Sequence, residues 1–289
     1  MLTKYKMAIE KVTQETGDSR SFILVPVDFD GGLFNYMPGQ FFTLEAEIMR
    51  PKVMTYDRTE KMMVGGVEVV RILDIKAFSI VSSPTEDGFI ELLVKSEKGA
   101  FAPYFLEQYN VGDTCTLIGP QGRFMHDMFQ NQEKQIACWS AGSGIPSAIS
   151  LMRFISDKGL DNKVVVFDSN RAIEDIIYHE RIKKLVDESE NFQATFTTTR
   201  GNGIPKSNHP RISYSNGRFW TNGENTLEKH ADENWIEYFN TICGSSSFIN
   251  GKARDEDGKL AKLGKGIEDH LLEVGIPQNK IDKDQFYLQ

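Results

Sequence analysis

Hydrophobic and polar residues alternate through most of the first half of the chain, a pattern typical of half-buried β-strands. The alternating segments are short and are separated by turns rich in Gly, Pro, Asp and Ser. They predict one helix, Ala102–Tyr109, and strands over Tyr5–Thr16, Ser21–Val27, Phe41–Glu45, Lys76–Ser83, Phe89–Ser96 and Val111–Ile118. Gly65-Gly66, between Met62–Val64 and Val67–Val70, predicts a two-residue hairpin. Many short strands with regular turns indicate an antiparallel barrel or sandwich.

The pattern changes after the polar segment Asp127–Lys134, where strands begin to alternate with helices. Strands are predicted over Gln135–Trp139, Lys163–Phe167, Phe192–Thr198, Tyr238–Ile242 and Gln285–Leu288. Helices are predicted over Pro146–Lys158, Glu174–Glu188 and Gly266–Val274. Such alternation indicates a parallel, doubly wound sheet. We therefore expect two domains, residues 1–128 and 129–289.

One strand-to-helix connection in the second half carries a candidate binding function. The apolar run Ile136–Trp139 breaks into the small residues Ser140–Gly144, and helical spacing resumes at Ile149 and Met152. A glycine turn of this kind brings backbone N–H groups and a helix N-terminus up to a bound anion. Glycine turns also occur for packing reasons alone, so the interpretation depends on the rest of the chain.

The amino-acid composition argues against several classes of protein. The formal charge of −8 over 289 residues argues against a general nucleic-acid binder. Four lysines and one arginine from Lys252 to Lys265 form either a local basic patch or a solvated charged segment. The three cysteines are too few for an iron–sulfur cluster within the chain, and the five histidines lack metal-ligand spacing. Without a signal-peptide core or a long apolar run, we expect a cytoplasmic protein with no membrane insertion.

Five motifs follow one another in a recognisable order. They are Pro38-Gly39-Gln40-Phe41, Lys76-Ala77-Phe78-Ser79 with Ser82-Ser83-Pro84, Gly119-Pro120-Gln121-Gly122, the Ser140–Ile145 turn, and Cys243-Gly244-Ser245. This order resembles that of the ferredoxin–NADP reductase superfamily of flavoproteins, over nearly the whole chain. The resemblance implies an antiparallel Greek-key barrel that binds FAD, followed by a Rossmann-like domain that binds NADP, with NAD as the alternative. FMN in place of FAD is also left open.

The resemblance assigns flavin contacts to the barrel. Phe78 would stack on the flavin ring, Ser79 would hydrogen-bond near flavin N5, and Lys76 would face the phosphates. The family has Arg and Tyr in place of Lys76 and Phe78, so a bidentate fork and a hydroxyl are absent here. Further flavin contacts are expected from Ser82, Ser83, Gly99, Ala100, Phe101, Ala102 and Tyr287. The family's Ser is Ala102 here, which leaves the helix N-terminus to hold a phosphate.

The resemblance assigns the nicotinamide nucleotide to the second domain. Its pyrophosphate would lie on the turn formed by Gly142, Ser143, Gly144 and Ile145, and its nicotinamide beside Cys243 and Gly244. Pro146 stands one position before the family's usual proline. The remaining expected contacts are Asn170, Arg171, Thr199, Arg200 and Arg218. A guanidinium suits a 2′-phosphate, whereas NAD sites favour an acid, so Arg200 favours NADP.

The implied function is electron transfer between a nicotinamide nucleotide and a separate one-electron carrier, ferredoxin or flavodoxin. Alternatives within the fold are the reductase component of an oxygenase and a reductase of free flavin or ferric iron. A regulatory subunit with reduced activity is an alternative from another class. A serine hydrolase is excluded because Ala141 and Ile145 occupy the glycine positions of a nucleophile elbow around Ser143. Residues 49–71 and 250–265 are longer than the family pattern needs.

Overall fold

The structure is a computed structural model of the 289-residue chain. It describes residues 2–27, 34–51, 55–57, 62–64, 69–96, 101–200, 207–220, 225–254, 259–262 and 264–286. Two six-stranded sheets dominate it, the first antiparallel and the second parallel. This is the fold class that the sequence predicts.

The antiparallel sheet is built from the first part of the chain. Its strands, in chain order, are β1 (Thr3–Thr16), β2 (Ser19–Pro26), β3 (Phe41–Pro51), β6 (Val69–Ser79), β7 (Ile90–Lys95) and β8 (Thr114–Gln121). The intervening β4 (Thr55–Asp57) and β5 (Met62–Val64) pair only with each other in the described residues.

The sheet order is β6-β3-β8-β1-β2-β7, and the two edge strands approach each other through an isolated bridge between Ile80 and Leu92. The sheet therefore curls into a barrel around buried side chains such as Phe22, Phe42 and Leu117. Helix α1 (Phe101–Gln108) packs against this barrel core with Phe101 and Phe105.

The parallel sheet is built from the second part. Its strands are β9 (Gln135–Ala141), β10 (Lys163–Asn170), β11 (Phe192–Thr198), β12 (Ile212–Asn216), β13 (Phe239–Ser245) and β16 (Ile281–Phe286), in the order β12-β11-β10-β9-β13-β16. A hairpin of β14 (Lys252–Arg254) and β15 (Leu260–Lys262) lies apart from it. The long apolar runs of β9 and β10 are buried on both faces, as expected where helices cover a parallel sheet.

Helices pack on both faces of this sheet. In chain order after α1 they are α2 (His126–Gln130), α3 (Pro146–Lys158), α4 (His179–Glu188), α5 (Thr226–His230), α6 (Ser246–Asn250) and α7 (Ile267–Glu273). One core joins the sheet to α3 and α4, and the other joins it to α5, α6 and α7. Among the described residues, no helix is long and apolar enough to span a membrane.

Two strand predictions, the hairpin and the start of the closing strand, are wrong in detail. Met62–Val64 pairs with Thr55–Asp57, while Val69 and Val70 begin the long strand β6; the turn residues 65–68 lie outside the described part of the chain. The first three and last three residues of the expected insertion 49–71 extend two barrel strands, because β3 and β6 pair from Met49–Arg71 to Pro51–Val69. The closing strand begins at Ile281 rather than Gln285.

The predicted helix Glu174–Glu188 is also interrupted. A 3₁₀ turn covers Ile173–Asp175, and α4 begins only at His179. Ile176, Ile177 and Tyr178 are all buried, and three consecutive residues do not fit on one buried helix face. The chain bends there, with Tyr178 at φ 58°.

A buried ion cluster joins the two sheets. Glu91 on β7 is 3% exposed and accepts hydrogen bonds from Arg181 Nη1 at 2.7 and 2.8 Å and from Arg153 Nη1 at 3.2 Å. Burial raises the pKa of Glu91, and the nearby Arg181 opposes that shift. Because Arg153 lies on α3 and Arg181 on α4, the cluster fixes the parallel sheet and its helices against the barrel.

Candidate functional site

A crevice is expected where the strand order of the parallel sheet reverses, between β9 and β13. Connections leave these neighbouring strands toward opposite sides of the sheet, and ligands of such folds bind beyond the carboxyl ends of the strands. The carboxyl end of β9 is the predicted glycine turn, and that of β13 is the Cys243-Gly244 motif. The structure therefore brings together the two motifs that the sequence assigns to the nicotinamide nucleotide.

Gly144 shows how closely these two motifs approach. A Cβ atom at this position would lie 2.1 Å from the Cys243 carbonyl oxygen and 3.3 Å from the Gly244 nitrogen. Only glycine fits such an approach of two backbones. Gly142 adopts φ +53°, a left-handed conformation that also favours glycine. The backbone geometry therefore explains why both positions are glycine, which the motif spacing in the sequence did not explain.

The turn leads directly into α3. Residues 142–144 form a 3₁₀ turn, and Pro146 occupies the first turn of the helix, where its missing N–H has no consequence. No side chain caps the N-terminus of α3. The positive end of this helix is consequently directed at the crevice, which suits a phosphate.

Ser147, in the first turn of α3, carries a polar atom without a partner. Its Oγ is buried and has no hydrogen-bond partner among the described residues. The hydroxyl lies near the Cys243 thiol, whose deprotonated form it would stabilise. A buried hydroxyl beside a glycine turn and a helix N-terminus is the donor chemistry that a nucleotide needs.

Cys243 is a buried thiol in contact with a carboxyl group. Its Sγ donates to Asp284 Oδ2 at 3.9 Å, across the parallel pair β13–β16. Burial raises the pKa of Cys243 well above its ordinary value, and Asp284 reinforces the shift. Burial also raises the pKa of Asp284, with a further increase from Asp282. Cys243 is therefore a neutral thiol at neutral pH.

The sequence did not point to Asp284, which belongs to the site through its strand pairing. A cavity of about 350 Å³ lies between β16 and the barrel; its lining includes Phe41, Gly122, Phe124, Asp282 and Asp284. Asp282 and Asp284 are two residues apart, a spacing that indicates a strand with one face toward a polar cleft. The sequence pattern did not reveal this face because the strand was expected to begin at Gln285, four residues after its observed start at Ile281.

The barrel's candidate residues lie near the end of β6. Phe78 faces the barrel core opposite Phe42, whereas Ser79 is opposite Phe41, a residue of the cavity wall. Side chains of consecutive strand residues point to opposite faces. The hydroxyl of Ser79 is thus on the side of β6 that faces the cleft, and the ring of Phe78 is on the other side.

The ring of Phe78 is covered by α1. Its centroid lies 5.9 Å from that of Phe101, and Lys76 Nζ lies 5.9 Å from the Phe78 ring centroid. Ala102 is buried behind them. The Phe78 ring and Lys76 thus lie on the α1 side of β6, whereas the Ser79 hydroxyl lies on the cleft side. The predicted stacking of Phe78 on a flavin ring and the predicted phosphate contact of Lys76 stay predictions. Gly99, Ala100 and Tyr287 lie outside the described residues.

Ser82 and Ser83 lie between the two sheets. Both are fully buried, and Ser82 Oγ accepts hydrogen bonds from Tyr36 Oη at 3.0 Å and the Glu91 N–H at 3.1 Å. Ser150 on α3 donates to the Ser82 carbonyl at 2.7 Å. Ser82 thus lies beside the ion cluster that joins the sheets, through the Glu91 N–H. The predicted flavin contacts of both serines stay predictions.

The other predicted nucleotide residues lie along the carboxyl edge of the parallel sheet. Asn170 is buried, while Arg171, Thr199, Arg200 and Arg218 are exposed. The Arg200 N–H donates to the Arg171 carbonyl at 2.8 Å, and the Thr199 N–H to the Asn170 carbonyl at 3.0 Å. The structure therefore groups the predicted 2′-phosphate residues at the ends of β10 and β11.

These features define a class: a barrel and a doubly wound sheet that meet at a cleft, with the Gly142–Gly144 turn on one side. The family model for the oxidoreductase FAD-binding domain matches residues 60–126. The chain is 30% identical over 213 residues to the phenol hydroxylase P5 protein of Acinetobacter pittii (strain PHEA-2), covering 73% of this chain and 54% of that protein. It is 27% identical to the ferredoxin reductase component of 3-ketosteroid-9-alpha-monooxygenase from Rhodococcus rhodochrous, covering 63% and 45%. The chain thus spans about half the length of these curated relatives.

Solved structures show the same fold. The flavohem-like FAD/NAD binding domain of nitric oxide dioxygenase from Vibrio cholerae O1 biovar El Tor has a TM-score of 0.68 at 17% identity, covering 98% of both chains. A ferredoxin NADP⁺ reductase from Neisseria gonorrhoeae with bound FAD and NADP has a TM-score of 0.60 at 16% identity, covering 99% of both chains. These matches support the resemblance to the ferredoxin–NADP reductase superfamily of flavoproteins that the motif order indicates.

Proposed function

We propose that the chain is an FAD-dependent oxidoreductase that transfers electrons between NADP(H) and a separate one-electron carrier. The observation that carries the proposal is the contact of Gly144 with Cys243 at the sheet's switch point, beside a cavity whose other wall is the barrel. The FAD-binding match in the barrel supplies the second half of the argument. We propose residues 1–128 and 129–289 as the two cofactor-binding domains.

FAD, when bound, accepts two electrons as hydride and releases them singly. The chain's residues would orient the two cofactors and exclude water. Ser79 would present its hydroxyl to the flavin, and Cys243 would present a neutral thiol to the nicotinamide. Asp284 would hold a proton near that thiol, because burial raises the pKa of its carboxyl group. The N-terminus of α3 would bind the pyrophosphate.

NADP is favoured over NAD by two side chains. Arg200 is exposed at the end of β11, where a guanidinium can bind a phosphate. Asp168, near the end of β10, is the acid that could have bound ribose hydroxyls. Both of its oxygens are already engaged, by Ser140 Oγ at 2.7 Å and Asn170 Nδ2 at 2.6 Å.

The relatives bear on the choice of carrier. Several are named as reductase components or subunits of monooxygenases, including those for phenol and glycine betaine. Others among the solved structures are named as ferredoxin reductases. These names support an external electron carrier. Besides ferredoxin or flavodoxin, they favour the electron-accepting component of an oxygenase as that carrier. Comparing turnover with ferredoxin, flavodoxin, free flavin and a ferric chelate separates the alternatives.

The decisive experiment is an anaerobic titration of the purified, FAD-loaded protein with NADPH and then with NADH, followed by flavin absorbance. We expect NADPH to bleach the flavin. Gly144→Ala should slow bleaching and leave FAD binding intact, because its Cβ would displace the end of β13. Gly17→Ala is the matched control, since a Cβ there meets no atom within 4 Å.

Two results would count against the proposal. A protein that stays colourless with added FAD would refute a flavoprotein of any kind. A bound flavin that neither nucleotide bleaches would favour the regulatory subunit instead.

A further inference from the structure

Asp168 is a buried carboxyl group directly behind the candidate nucleotide site. It is 1% exposed and lies on β10, opposite Ser140 of β9 in the strand register. Ser140 Oγ donates to its Oδ1 at 2.7 Å, and Asn170 Nδ2 donates to its Oδ2 at 2.6 Å. Burial raises its pKa to about 6, and no positively charged group in the described part of the chain contributes to that pKa. Its two partners are both neutral.

The two partners of Asp168 belong to different parts of the site. Ser140 is two residues before Gly142, where the phosphate turn begins. Asn170 ends β10, and its carbonyl accepts the Thr199 N–H at 3.0 Å and the Thr199 hydroxyl at 3.3 Å. Asp168 is therefore the central member of a chain of hydrogen bonds from the glycine turn, through β10, to the segment that carries Arg200.

We propose that Asp168 is a positioning residue that sets the distance between the Gly142–Gly144 turn and the Thr199–Arg200 segment, and so adapts the site to a nucleotide with two separated phosphate groups. The inference rests on the proposed function, because it assigns one phosphate to each element. A ligand that binds at two fixed sites gains affinity from the second site only if the distance between the sites matches the ligand. A ligand with one phosphate has no such requirement.

A carboxylate suits this role better than a neutral side chain. It accepts hydrogen bonds on both oxygens, so it joins two donors on neighbouring strands at once. Hydrogen bonds to a charged acceptor are also stronger and shorter than those between neutral groups. A buried carboxyl group without a cationic partner lowers the stability of the fold. Packing of the sheet alone does not require such a group.

The test compares two probes by isothermal titration calorimetry: 2′,5′-ADP, with two phosphate groups, and 5′-AMP, with one. We expect Asp168→Ala to weaken 2′,5′-ADP binding about tenfold and 5′-AMP binding less than about twofold. Ser140→Ala removes only the hydrogen bond between Asp168 and the strand that leads to the turn. It should change the ratio of the affinities for 2′,5′-ADP and 5′-AMP in the same direction. It also keeps the test decisive should Asp168→Ala fold poorly.

Thr195→Val is the matched control. It removes a half-buried hydrogen bond to Ser213, 2.9 Å long, within the same sheet but away from the carboxyl ends of the strands. It should leave the ratio of the two affinities unchanged. Equal weakening of both probes in the Asp168 and Ser140 variants would show a merely structural role and overturn the inference, as would unchanged affinities. Wild-type protein that binds neither NADPH nor 2′,5′-ADP would overturn the proposed nucleotide function as well, so the two failures are distinguishable.

Discussion

Asp168→Asn should make the protein more stable at neutral pH and less stable in acid. Burial raises the pKa of Asp168 from 3.8 to about 6 in the folded protein. Between those values the folded state keeps a proton that the unfolded state has lost, so stability falls as the pH rises. At about 1.4 kcal/mol per pH unit, the loss reaches about 3 kcal/mol above pH 6.

Asparagine does not ionise, so the variant does not lose this stability as the pH rises. Its amide oxygen still accepts the Ser140 hydroxyl, but its NH₂ faces the NH₂ of Asn170, which costs about 1 kcal/mol for the lost hydrogen bond. The free energy of unfolding should therefore favour the variant by about 2 kcal/mol at pH 7.5 and the wild type by less than about 1 kcal/mol at pH 4.

Urea unfolding at several pH values, followed by tryptophan fluorescence, measures this difference. All three tryptophans, Trp139, Trp220 and Trp235, lie in the second half of the chain, so they report on the half that contains Asp168. Asp161→Asn is the control, because Asp161 is exposed and the hydrogen bond from Lys134 lowers its pKa. A stability difference between Asp168→Asn and wild type that is independent of pH would refute the reasoning.

Three further variants test other parts of the structure. Arg200→Glu should lower the ratio of kcat/KM for NADPH to that for NADH at least about tenfold, because it replaces a phosphate-binding guanidinium with a carboxylate; an unchanged ratio would remove Arg200 from the site. Glu91→Gln should lower the free energy of unfolding by about 3 kcal/mol, because it leaves two guanidinium groups facing each other between the sheets; a loss below about 1 kcal/mol would mean that the cluster contributes little. Cys243→Ser should slow flavin reduction by NADPH about 10- to 100-fold in stopped-flow absorbance by changing the contact with the nicotinamide; an equal effect of Cys115→Ser, in the barrel, would contradict that role.

The fold could be predicted because its signals are local. Alternation in the barrel and the strand-helix repeats of the second half each extend over short windows, and helix α3 and strand β11 have the predicted bounds. The order of motifs then located the glycine turn and the Cys243 strand end. Their contact through Gly144 follows from the parallel sheet order, which adjoins β9 and β13.

The charged parts of the site could not be predicted from local patterns. Glu91 meets Arg153 and Arg181 across 62 and 90 residues of chain, and Asp284 meets Cys243 across 41. Such contacts depend on strand register and on how the two sheets pack, neither of which sequence periodicity fixes. Phe78 is a similar case: its aromatic character was evident, but its burial beneath Phe101 depends on where α1 packs.

The two buried acids of the parallel half differ in a way that bears on the proposed chemistry. Asp168 has two neutral donors and is closed off within the sheet, so it can position but has no access to a reacting group. Among the described residues, Asp284 accepts a side-chain hydrogen bond only from the weak donor Cys243. It lies in the wall of the cavity, with Asp282 beside it. Burial and a like charge raise its pKa, and a carboxyl group of this kind retains a proton more readily than an exposed one. The proposals therefore give the two acids different roles: Asp168 would shape the nucleotide site, and Asp284 would hold a proton at the cleft.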